Sequence, residues 1–163
     1  MKKRHFLNTV VVSLAAAGAG CITVGSKSPH KLDPADYDET IRVACVGDSI
    51  TFGAGIKDRK NHNYPLVMGK SLGDSFDVRN FGVSGATMLK KGDFSYWERP
   101  EFKQATEFNP HVVIIKLGTN DTKPHNWNHS AEYAADYEAM IDHFAALPTK
   151  PKIWLCSPAP VYQ

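Results

Sequence analysis

Cysteine is scarce in this chain, with three among 163 residues: Cys21, Cys45 and Cys156. Cys45 and Cys156 each sit in an apolar run, where a small buried residue is the ordinary reading, and they do not make a disulfide framework. No Cys or His spacing of the metal-binding kind occurs, so neither a structural zinc nor any cofactor is expected. Net charge is equally sparse. A formal +2 gives no footing for nucleic acid as a partner. Long apolar runs are missing as well, since a stable membrane span needs about 20 residues and none is reached. No Gly-Lys-Ser/Thr follows the apolar run Ile41 to Val46, which removes the phosphate loop. From Asp48 the third position is Ile50, where an aspartyl phosphoryl-transfer site would want a second Asp.

With 42% hydrophobic and 22% charged residues, the length suits one globular domain with a single core. Residues 1–21 read as an export signal: Lys2, Lys3 and Arg4 are basic, and Val10 to Ala19 is apolar with small residues at its end. Two endings stay open, cleavage after Ala17-Gly18-Ala19 or lipid attachment at Cys21, which would tie the protein to a membrane. The stretch KRHFLN is similar to a twin-arginine signal with Lys3 in place of the first arginine. The expected location is the periplasm or cell envelope. Residues 22–40 hold Ser, Pro, Lys and Asp with little periodicity and read as a tether.

From Ile41 the pattern changes. Apolar, β-branched-rich runs recur at Ile41 to Val46, Phe76 to Phe81, Val112 to Leu117 and Ile153 to Cys156. Helical segments fall between them: Tyr64 to Leu72, Glu101 to Phe108, and Ala131 to Leu147, the last with Tyr133, Tyr137, Ile141 and Phe144 at three- and four-residue steps and Ser130 as its N-cap. Strands alternating with helices predict an α/β fold with a parallel, doubly wound sheet. Ligands then bind beyond the carboxyl ends of the strands.

Each of the first three strands runs into a polar, glycine-bearing turn: Gly47-Asp48-Ser49, then NFGVSGAT at Asn80 to Thr87, then LGTNDTK at Leu117 to Lys123. The first triplet alone has a plain reading as a strand-to-helix turn with Asp or Ser as N-cap. The ordered triple resembles the SGNH hydrolases, also called the GDSL esterase/lipase family, over Ile41 to Gln163. The wording GTNDTKPHNW is similar to exported bacterial esterases of acetylated carbohydrates, including sialate O-acetylesterase-like members. That resemblance implies a three-layer α/β/α, flavodoxin-like sheet and hydrolysis of carboxylic, chiefly acetyl, esters on a small molecule or glycan. It makes Ser49 the nucleophile, with the N–H of Ser49, the N–H of Gly85 and the Asn120 amide as oxyanion donors. Asp48 and Asp121 become supports that hold the two turns through backbone N–H groups. Gly82 reads as a turn residue.

The family also carries Asp-x-x-His in a late loop, the His acting as base, and no such block follows Asn120. Asp142 and His143 are adjacent in a helix and are expected on its solvent face. His125 and His129 lie on the correct rim, although exposed loop histidines are the ordinary reading. The domain at 41–163 is therefore expected to lack its last strand and helix, and these 163 residues alone to be poorly stable and weakly active. The rival from another class is a non-catalytic carbohydrate-binding remnant. Tyr96, Trp97 and Trp127 lie between the blocks, either to stack on sugar rings or to cover the core edge. Oligomeric state is left open.

Overall fold

A computed structural model describes residues 32–158. The export signal and Cys21 lie outside the described residues. Four strands, β1 Ile41–Gly47, β2 Phe76–Gly82, β3 Val112–Lys116 and β4 Lys152–Leu155, form one parallel sheet in the order β2-β1-β3-β4. The central strands are apolar on both faces because both faces are covered, as parallel sheets require.

Alternate residues of β1 enter different cores. Ala44 and Val46 join Val113, Ile115, Met140 and Phe144 on one face. Ile41, Val43 and Cys45 join Val78 and Ile114 on the other, against Tyr64 and Met68. Burial pushes the Cys45 thiol up to about 12, and both described cysteines are free. The helices are α1 Ser49–Phe52, α2 Arg59–His62, α3 Tyr64–Leu72, α4 Pro100–Glu107, α5 Pro124–Trp127 and α6 Tyr133–Ala145. α3 lies on the Cys45 face and α4 and α6 on the other, giving three layers.

Local chemistry explains the boundaries. Asn63 caps α3 by accepting the Leu66 N–H at 3.2 Å, and Pro65 occupies its first turn. Pro100 opens α4, and Asn109-Pro110 follows its end. At α6 the expectation changes. Ser130 lies in a separate 3₁₀ turn, Ser130–Glu132, and Glu132 takes the cap position without a side-chain bond to the helix N–H groups. The deepest stripe of α6 is Asp136, Met140 and Phe144, with Tyr133, Tyr137 and Ile141 beside it. Leu32 and Tyr37, within the stretch read as tether, pack on the Cys45 core, so the compact unit starts at Leu32.

His143 is not on the solvent face. It is half-buried against α4, with Nε2 2.8 Å from Thr106 Oγ1 and its ring 4.6 Å from that of Phe102. Since Thr106 Oγ1 donates to Phe102 O at 2.9 Å, it accepts from His143 Nε2–H. Burial lowers the pKa of this imidazole.

Candidate active site

Three strand ends finish level. Gly47 of β1 is paired with Gly82 of β2 on one side and Lys116 of β3 on the other. The chain passes from β1 to β2 on one flank and then back to β3 on the other, so strand order reverses at the β1–β3 ends. Open α/β sheets bind ligands at such a crevice. Val83 N–H donates to Gly47 O at 2.9 Å and Asp48 N–H to Lys116 O at 3.3 Å, which carries the alignment past the strands into the turns.

The wholly buried Asp48 is the residue that caps α1, its Oδ1 accepting the Ile50 N–H at 2.9 Å. Oδ2 of Asp48 has no partner among the described residues. Capping therefore falls to Asp48, and Ser49 is the first residue of the helix. Ser49 is half-buried, and neither its hydroxyl nor its N–H has a partner among the described residues. Gly82 explains how α1 can sit this close to β2. A Cβ there would meet the backbone of Phe52 and, at 2.6 Å, the carbonyl carbon of Thr51.

Gly85 has φ +87, which favours glycine, and its N–H is likewise unpaired. Asn120 Nδ2 donates to Ala86 O at 3.0 Å, tying the third turn to the residue after Gly85. An amide nitrogen carries two hydrogens, so one remains for another acceptor. The structure thus brings Ser49, Gly85 and Asn120 onto neighbouring strand ends, each with an uncommitted donor.

Asp121 supports a turn through backbone N–H groups, but the turn is the one beyond Gly85 and not its own. It is fully buried and accepts Met88 N–H at 2.9 Å and Leu89 N–H at 2.7 Å, so it supports the glycine-bearing turn across 32 residues and more of sequence. Burial raises its pKa; these two N–H groups act against that and nearby Asp48 adds to it. Three polar residues with no role in the sequence reading complete the network. Asn80 donates to Thr51 O at 2.7 Å and accepts Gly82 N–H at 2.8 Å. Buried Asn126 accepts Asp93 N–H at 2.8 Å and donates to both Asp93 Oδ1 and Asn120 O at 2.9 Å. Asp136 accepts Lys90 N–H at 2.8 Å. Only Asn80 and Asn126 carried a signal, as side chains inside the quoted blocks.

The histidines face elsewhere. His125 Nε2 lies 2.9 Å from Asp93 Oδ2, and the Asn126 amide together with His125 holds the Asp93 carboxyl below the usual carboxylate range. Of the rim aromatics, Tyr96 is wholly buried and donates to Phe81 O at 2.7 Å, while Trp97 Nε1 donates to Met88 O at 2.9 Å. These two cover the core edge. Trp127 is 48% exposed.

Residues 45–163 match the model of the GDSL-like lipase/acylhydrolase family. An acetylxylan esterase of Xylanibacter ruminicola is 45% identical over 147 residues, covering 80% of this chain and 31% of that protein. Two solved structures share the fold at 23% identity: a carbohydrate acetylesterase family member from Sinorhizobium meliloti, with TM-score 0.59 over 76% of this chain and 65% of that one, and an aryl esterase of M. smegmatis, with TM-score 0.58 over 74% and 65%. The chain thus spans about a third of its curated relative and under two thirds of the solved ones. The family match takes in all three turns, β2, β3 and the end of β1, and this chain belongs to the GDSL-like lipase/acylhydrolase family.

Proposed function

We propose that the protein hydrolyses carboxylic esters, chiefly acetyl groups on a carbohydrate, through an acyl-enzyme on Ser49. The observation that carries this reading is the set of uncommitted donors on three adjoining turns: Ser49 N–H, Gly85 N–H and the second Asn120 amide hydrogen. Ser49 Oγ bonds to the acetyl carbonyl carbon, and the C=O π pair moves onto the oxygen, where these donors stabilise it. Collapse breaks the bond to the sugar oxygen, which leaves protonated. Water then attacks the acetyl-serine, releasing acetate and restoring Ser49. The serine proton passes to a general base. None of the described histidines is bonded to Ser49: His62 faces Asp58, His111 faces Arg42 and Glu39, His125 faces Asp93, His143 faces Thr106, and the His129 ring has no bond among the described residues. The family pattern places that base in an Asp-x-x-His block.

The acetylxylan esterase likeness favours an acetylated plant polysaccharide as first substrate to try. The reading includes export, from the basic and apolar start of the chain, with Cys21 as a lipid attachment point that palmitate labelling of wild type against Cys21→Ser tests. In the full-length protein, Ser49→Ala should abolish acetate release from acetylated xylan while leaving the circular dichroism spectrum unchanged. Undiminished release would overturn the mechanism. Retained glycan binding by a wild type without turnover would favour the carbohydrate-binding alternative.

A further inference from the structure

Beside the proposed oxyanion site stands an aromatic ring that the reaction does not use. Phe94 is 40% exposed, and a Cβ on Gly85 would lie 3.9 Å from its Cδ1. Its backbone is held on both sides. Phe94 O accepts Thr87 N–H at 3.0 Å, and the preceding Asp93 N–H donates to Asn126 at 2.8 Å. The Arg99 guanidinium covers one face of the ring, 4.3 Å from its centroid, so a sugar can stack only on the other. The preceding residue, Asp93, pairs with His125 at 2.9 Å, the two side chains being 42% and 60% exposed.

An aromatic face fixed in advance, bordered by planar polar groups, suits a sugar: the apolar C–H face of a pyranose stacks on the ring while its hydroxyls reach the carboxylate and imidazole. We propose that Phe94 is the floor of a sugar subsite, on which the pyranose bearing the acetyl group stacks, with Asp93 and His125 at its free hydroxyls and the ester carbonyl directed at Gly85 N–H. This rests on the ester-hydrolase reading and adds the residue that selects the alcohol half of the ester.

The test compares an acetylated xylo-oligosaccharide with ethyl acetate, which has no ring to stack, in the full-length protein. Phe94→Ala should lower the ratio of kcat/KM for the oligosaccharide to that for ethyl acetate at least tenfold, through KM. Phe94→Leu, which keeps apolar volume without an aromatic face, should behave like the alanine variant, and Phe94→Trp should restore the ratio. Equal losses on both substrates would overturn the proposal, as would a gain on butyryl esters, which would put Phe94 on the acyl side. So would a selective loss in Trp127→Ala but not in Phe94→Ala. Calorimetry separates the two readings: the deacetylated oligosaccharide should bind Ser49→Ala and lose at least tenfold in affinity when Phe94→Ala is added. If wild type cleaves no ester, the hydrolase reading fails while this binding loss still upholds the subsite. Unchanged binding removes the subsite and leaves the hydrolase reading intact.

Discussion

Asn120 and Asp121 are neighbours with separable duties. Asn120 bonds Ala86 O with one amide hydrogen; on the proposed mechanism the other goes to the oxyanion, so Asn120→Ala should cost turnover about 10² to 10³-fold. Its stability loss should stay near 1 kcal/mol, measured by urea denaturation. Asp121→Ala reverses the proportion, because it orphans two buried N–H groups, at about 1–3 kcal/mol each. Asp121→Asn should fall between wild type and Asp121→Ala, since it keeps one carbonyl acceptor. The placement of Ser49, Gly85 and Asn120 on one rim was legible because each stands in a short block that follows a strand. Asp136 was not. Its partner, Lys90 N–H, is 46 residues away, and a polar residue on a helix reads as solvent-facing until its partner is known.

Helices hold this rim by contacts that differ in kind. α1 lies on β2 only because Gly82 has no side chain, and the obstructing atoms are backbone that cannot swing aside. Gly82→Ala should displace α1 and Ser49 with it, costing about 1–3 kcal/mol in thermal or urea denaturation together with most of the activity. Between α4 and α6 the polar contact is the His143–Thr106 bond, beside the packing of Phe102 on His143 and Phe144. Burial depresses the His143 pKa, so its contribution is fully present above the ordinary histidine value near 6.5 and is lost as pH falls through the depressed folded value. His143→Gln should flatten that part of the stability profile, read as melting temperature between about pH 7 and 5. The four strands and three longer helices were placed from periodicity within one or two residues, but the inward turn of His143 was not. An imidazole beside Asp142 looks polar, and only the Phe102 ring and Thr106 hydroxyl on α4 make its face apolar enough to bury.

At the scale of the molecule, parallel topology was legible from strand and helix alternation, and the reversal of strand order then placed the site. Among the described residues β2 and β4 are the two edge strands, and β4 carries Trp154 and Leu155, 39% and 51% exposed. An open apolar edge invites pairing between chains. The 163-residue chain expressed by itself should therefore self-associate in sedimentation velocity, and Leu155→Lys should reduce the association. The buried Asp121 carboxylate has a consequence of another sort. It gives a loop without regular secondary structure the protection of a strand: in hydrogen–deuterium exchange, the Met88 and Leu89 amides should persist alongside those of β1. The amides of Ser49 and Gly85, which have no partner among the described residues, should label at the earliest time point. Slow and fast exchange side by side would then map the boundary between what the rim keeps rigid and what it leaves open to a ligand.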